Sequence, residues 1–184
     1  MKKNIGAVNG LFPIPDVIVG TEVDGKVNFL NIAYVGIVDN DIISVSLSKN
    51  KYSGRGLIQN KTFSVNMISK DMLVEADYVG IVSGEKVDKS EVFTVFEGQL
   101  AGAPLIEESP IAMECELIET KEMETHITYF GKIKNTYCNE CLLDKDDNID
   151  FIEASLILYA SKKYWLHGEQ VAKAWTIGKK YKME

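Results

Sequence analysis

Asp24-Gly25 is the most restrictive dipeptide in the chain. It stands between two apolar, β-branched runs, Val17–Val23 and Val27–Ala33. Glycine tolerates the positive φ of a type I′ turn, and Asp-Gly between such runs is the strongest short-range signal for a two-residue hairpin. The first part of the chain is therefore committed to antiparallel β-structure. Two further strands follow, Asp41–Ser48 with partial apolar alternation and Thr62–Ile68 with β-branched and aromatic residues. Between them, Tyr52–Asn60 suits a short helix capped by Ser53 and anchored by Leu57 and Ile58. The spacing of Met72, Leu73, Ala76, Val79 and Gly80 predicts a longer helix over Lys70–Ile81, capped by Ser69 and stopped by Gly84. Ile111–Thr120 and His126–Thr136 read as long strands with a wet, glutamate-rich face formed by Glu114 and Glu116 and, around the turn, Glu119, Glu122 and Glu124. Leu156–Tyr159 reads as a short strand and Gly168–Lys179 as a terminal amphipathic helix. At least six short strands at hairpin spacing, with few helices, predict a mainly β fold: a small barrel with peripheral helices rather than a parallel sheet. No linker or repeat divides the 184 residues, so one domain over 1–184 is expected.

Charge narrows the function. The chain carries 27 acidic and 20 basic residues, a net charge of −7, and Arg55 is its single arginine. Nucleic-acid binding needs clustered Lys and Arg, so that class is disfavoured and any phosphate site must be local. Gly6, Gly10, Pro13 and Pro15 interrupt the N-terminus where a signal core would lie. No run of 18 apolar residues offers a membrane span. The three cysteines, Cys115, Cys138 and Cys141, do not form a secreted disulfide framework, and a cytoplasmic protein is expected.

Most motif-borne chemistry is missing. Cys138-Asn139-Glu140-Cys141 lacks a second ligand pair at zinc spacing and precedes an acidic loop rather than a helix. The loop Asp144, Asp146, Asn148 has Ile149 and Ser155 where a calcium loop needs Gly and Glu, so it reads as a solvated turn. No G-x-S-x-G elbow, Walker A sequence or G-x-G-x-x-G fingerprint occurs. What stands out is a polar set in unusual places: Asn28 and Asn31 inside an apolar strand, Ser46 and Ser48 at a strand end, and Lys49, Lys51, Ser53 and Arg55 around a helix start. Amides, hydroxyls and cations at a helix N-terminus suit a phosphate.

Several stretches, spread over nearly the whole chain, resemble the flavin reductase-like proteins of the flavoredoxin type. They include Pro15–Thr21, Gly25–Asn28, Ala33–Gly36, Val45–Leu47 and Phe63–Asn66. The most specific is Asp77–Lys89, similar to that family's D-x-x-G-x-x-S-G-x-x-V-D-K pattern, and Glu124–His126 through Phe130–Ile133 resembles its G-D-H…G-x-V strand. The resemblance implies an FMN-binding split β-barrel of Greek-key type that works as a homodimer. It implies that Asn28, Asn31, Ile32, Ala33 and Tyr34 line the flavin ring and ribityl chain, and that Ser46, Leu47 and Ser48 approach the ring edge. Ser53 with neighbouring backbone N–H groups would hold the phosphate, and the local positive charge of the segment adds Arg55 to that expected site. Lys89, His126 and Tyr159 match cofactor-contacting positions, some across the dimer interface, with Lys89 a candidate for the N1–C2=O edge. Tyr34 stands where many relatives carry Trp, and Thr125 replaces an acidic residue before His126. No catalytic residue is assigned; His126 is the candidate. The implied activity is transfer of electrons from NAD(P)H or a small redox protein through FMN to an acceptor. The alternative is a flavin-binding carrier or redox sensor without turnover.

Overall fold

The computed structural model describes residues 1–181, so 182–184 of the expected domain lie outside the described residues. Strand β1 (Ile14–Pro15) leads into the hairpin β2 (Val17–Val23) and β3 (Lys26–Ile32). Its turn has φ of 52° at Asp24 and 76° at Gly25, and the register runs from Val23 opposite Lys26 to Val17 opposite Ile32. Next come β4 (Val35–Asp39), β5 (Ile42–Ser48), α1 (Ser53–Asn60), β6 (Thr62–Met67) and α2 (Leu73–Ile81). The short β7 (Val95–Phe96) and β8 (Leu105–Ile106) precede the long hairpin β9 (Ile111–Glu122) and β10 (His126–Cys138), and β11 (Ile157–Ala160) and β12 (Lys163–Leu166) follow.

Seven strands form one antiparallel sheet in the order β3-β2-β6-β9-β10-β5-β4. Its two terminal strands, β3 and β4, are neighbours in sequence, joined only by Ala33 and Tyr34. The sheet therefore curls back on itself, and the barrel is split where β3 and β5 face each other without a ladder. Residue parity on β2 decides what each side of the wall covers. Val17 and Val19 join Leu30, Val45, Leu47, Phe63 and Tyr129 inside the barrel. Ile18 points the other way, into a second core with Phe29, Ile68, Met72, Ala76, Val79 and Ile106 beneath α2. Both faces of β2 are thus buried, which explains the apolar run Val17–Gly20 that opens it.

Several local expectations change. Tyr52, not Ser53, occupies the N-cap of α1, and it is helical, so Ser53 is the first helical residue and caps nothing. The helix expected over Lys70–Ile81 opens with a 3-10 turn at Lys70–Met72, and Ser69 makes no side-chain cap. Glu114 is fully buried rather than on a wet face. The segment around Gly98–Leu100 folds across β9, and Glu114 accepts hydrogen bonds from Leu100 N at 2.7 Å, Asn135 Nδ2 at 2.8 Å and the Tyr137 hydroxyl at 3.1 Å. Burial alone would raise its carboxyl; these bonds, with one from Gln99 N, outweigh burial and hold it below the ordinary range. Gly168–Lys179 forms no α-helix: it is exposed throughout, with only a 3-10 turn at Ile177–Lys180. Among the described residues its apolar side chains stay exposed, and an isolated short helix is marginal in water. Among the described residues no helix is long and apolar enough to cross a membrane.

Candidate functional site

The split of the barrel opens a cleft of about 290 Å³. One wall is the end of β3 and its link to β4, Leu30–Tyr34; the other is Ser46–Ser48 of β5, with His126 of β10. Asp16, Lys51 and Tyr159 complete it. The Tyr34 ring is half exposed and lies 5.5 Å from the His126 ring. The β5–β10 register sets His126 opposite Ser48, which places its Nε2 3.2 Å from the Ser48 hydroxyl. Its Nδ1 lies 2.8 Å from the hydroxyl of Thr125. The imidazole is therefore oriented by two hydroxyls and no carboxylate, so Thr125 does the positioning that an acid at its place would do. Ser46 is paired with Thr128 at 2.8 Å.

A second cleft of about 210 Å³ adjoins the first and shares Leu30 and Lys51 with it. It is lined by Tyr52, Ser53, Ser83, Gly84 and Lys89, among others. The Lys89 ammonium is buried and donates to the carbonyls of Phe29 at 2.9 Å and Val79 at 2.7 Å. An ammonium has three N–H donors, so one is uncommitted. Burial pushes this group down to about 8, with Lys51 adding to the shift. The Ser53 hydroxyl accepts from Asn28 Nδ2 at 2.7 Å and keeps its own proton to donate. Of the first backbone N–H groups of α1, Gly54 N bonds Lys51 O and Arg55 N bonds Tyr52 O, while Ser53 N has no partner among the described residues. The groups left to meet an anion here are Lys51, Lys89, the hydroxyls and the Ser53 N–H.

The structure brings most of the expected residues together. Asn31, Ile32, Ala33, Tyr34, Ser46, Leu47, Ser48, His126 and Tyr159 line the first cleft, while Ser53 and Lys89 line the second. Lys89 is thus at the Ser53 end, away from the Tyr34–His126 end where the ring edge was expected. Asn28 lies behind Ser53, 3% exposed, and its Oδ1 has no partner. Arg55 lines neither cleft. Two residues past Ser53, about half a helical turn, it is aimed at the hairpin turn, 3.1 Å from Asp24, with its guanidinium over the Tyr52 ring. Lys49 is likewise drawn off, to Glu122 at 2.6 Å. Asp16 is the residue that sequence reasoning missed. It is fully buried, accepts from Asn31 Nδ2 at 2.9 Å through Oδ2, and leaves Oδ1 unpartnered. Burial pushes its carboxyl up to about 6, against the pull of Asn31 and with help from Asp77. Its one sequence signal was an acid set directly before the apolar start of a strand, Val17–Val19.

Known proteins place this geometry. A solved flavoredoxin from Methanosarcina acetivorans is 33% identical, with a TM-score of 0.92 over 97% of this chain and 98% of its own. The flavoredoxin of Desulfovibrio vulgaris (Miyazaki F) is also 33% identical, with a TM-score of 0.89 over 97% of this chain and 100% of its own. An FMN-binding protein from Thermus thermophilus, 24% identical with a TM-score of 0.80 over 94% of this chain and 98% of its own, shares the fold. A protein of Aeropyrum pernix described as uncharacterized is 26% identical over 133 residues, 69% of this chain. The match takes in 50% of that protein, so the chain spans about half the length of this relative. The model of the flavin reductase like domain matches residues 9–166, and with that match the chain belongs to the flavin reductase like domain family.

Proposed function

We propose that the protein binds FMN along the two joined clefts and works as an oxidoreductase, passing electrons from NAD(P)H or a small redox protein to an acceptor. The observation that carries this reading is the end-to-end arrangement of an aromatic, hydroxyl-lined cleft and a cleft holding a buried ammonium. FMN has that polarity: a flat ring at one end and a phosphate at the other. The residues fit it. Lys89 has an uncommitted donor, the Ser53 hydroxyl has a proton to give, and the buried Asp16 Oδ1 and Asn28 Oδ1 lack protein partners. Buried polar atoms without partners are costly and mark places where a ligand completes the bonding.

The flavin supplies the hydride chemistry, and the protein supplies binding, orientation and electrostatics. Lys51, Ser53 and Lys89 hold the phosphate; Tyr34 and His126 flank the ring; Asn31 reaches toward its polar edge. The chain has no dinucleotide-binding fingerprint, so a nicotinamide donor docks transiently against an open ring face. We further propose a homodimer acting in the cytoplasm. The exposed edge strand β4, with Ile37 88% exposed and Val38 half exposed beside Tyr34, supports the first, and three free thiols support the second. The direct test is anaerobic addition of NADH or NADPH to the FMN-loaded protein. Bleaching of the flavin absorbance is expected, and no bleaching with either would remove the nicotinamide route and leave a redox protein as donor. Steady-state NAD(P)H oxidation with excess free FMN separates a reductase, which turns over, from a carrier, which stops after one equivalent.

A further inference from the structure

We infer that Asp16 is a ligand-contacting residue, its Oδ1 accepting a hydrogen bond from an N–H or O–H donor of the bound flavin. The inference rests on the proposed FMN reading and adds to it a residue outside the set that the family resemblance implied. Asp16 is fixed where β1 meets β2 by its own N–H, which donates to Ile157 O at 3.2 Å. Its Oδ2 is taken by Asn31. Its Oδ1 is buried without a partner, although Asp16 forms part of the wall of the first cleft.

The neighbours do not offer Oδ1 a donor. Asp77 of α2 faces it with a second carboxyl, and the Tyr164 hydroxyl of β12 donates to Asp77. Tyr159 of β11, Lys51 after β5 and His126 of β10 share the cleft, but none is bonded to Asp16. A buried carboxylate oxygen with neither cation nor donor is a costly arrangement. Here it is left beside the cleft that the flavin would fill. The ring imide N3–H and the ribityl hydroxyls are the donors a flavin brings. An ionised carboxylate oxygen is a stronger acceptor than that of the neutral acid, so binding favours deprotonation of Asp16. Since its carboxyl is pushed up to about 6, that coupling falls in an accessible pH range.

The test is flavin affinity against pH, read by fluorescence quenching. Riboflavin is the main probe, because the FMN phosphate itself titrates near pH 6 and would imitate the effect. For the unmodified protein, riboflavin should bind about tenfold more weakly at pH 5 than at pH 7.5. Asp16→Asn, which keeps an acceptor oxygen that does not titrate, should show a flat profile. The same slope in both proteins would overturn the inference. Should the variant not fold, calorimetry of the unmodified protein at pH 5.5 in two buffers of different ionisation enthalpy gives the proton count directly. Net proton release on riboflavin binding supports the assignment and none overturns it. Lumiflavin, which has the ring without the hydroxylated chain, locates the donor: a retained pH dependence puts it on the ring, a lost one on the chain, and either supports the inference. Flavin binding with a flat profile would sink the role of Asp16 alone, whereas no flavin binding at any pH would sink the FMN reading with it.

Discussion

Asp16 and Lys89 are both buried at the clefts with their charged forms disfavoured, and each makes stability depend on pH in a definite direction. The Asp16 carboxyl titrates near 6 in the folded protein, above the ordinary carboxylate range. Between those values the folded state holds a proton that the unfolded state has lost, so this group's contribution worsens as pH rises through 6. Asp16→Asn should therefore stabilise the ligand-free protein by about 2 kcal/mol at pH 7.5 and by little at pH 4.5, checked by urea unfolding at both. Lys89 is the mirror case. Its folded value of about 8 lies below the ordinary lysine range, so the cost of its charge is present below 8 and fades as pH climbs toward the unfolded value. A phosphate beside it would offset that cost. Lys89→Met should weaken FMN binding by about 10- to 100-fold while affecting riboflavin far less, and Arg55→Ala, whose exposed pairing with Asp24 lies outside both clefts, should leave FMN affinity within about twofold. Titration of the two flavins against each variant checks both. At this scale Tyr34, His126 and Lys89 were legible through the family resemblance. Arg55 misled because nearness in sequence to Ser53 became, about half a helical turn on, a side chain on the other side of the segment.

The elements hold the site through close approaches that leave no space for a side chain. Gly56 packs α1 against β2 so tightly that a Cβ would run into the Glu22 carbonyl and the Thr21 side chain. Gly56→Ala should cost about 1–3 kcal/mol in chemical denaturation and lower FMN affinity with it, because α1 carries Ser53. Gly84 plays the same part against Asn28 in the second cleft, and not the helix-stopping part that its position suggested. Strands and turns were readable because their information is local: the Asp24-Gly25 hairpin and strands β5 and β6 stand where expected, though β6 is buried on both faces rather than half-buried. The misread elements are those decided at long range. Glu114 looked solvent-facing because the segment that covers it comes from Gly98–Leu100, and the register shift between Ile133 and Asn135 that turns Asn135 onto it has no sequence signature. The terminal segment had a helical pattern, but among the described residues it lies exposed, without a surface to bury its apolar side.

At the scale of the whole molecule, a net charge of −7 first served to disfavour nucleic acid. The fold sharpens this, since it draws Lys49 and Arg55 into exposed ion pairs and leaves Lys51 and Lys89 at one cleft. The exposed edge of β4 belongs to this scale too. An apolar edge strand is an invitation to pair with another chain. The unmodified protein should run as a dimer in sedimentation analysis, and Ile37→Asp should shift it toward monomer; a monomer at all concentrations would dissolve the proposed assembly. The split barrel has one further property. Because Ala33 and Tyr34 alone join the strands on either side of the opening, Ile32 and Val35 are three Cα steps apart and cannot separate by more than about 11 Å. Barrels that open at a seam are free to gape; this one is hinged like a clasp whose pin is the chain itself. The calibre of its mouth is therefore counted in peptide units, and an extra residue in that link would loosen the grip on a ligand.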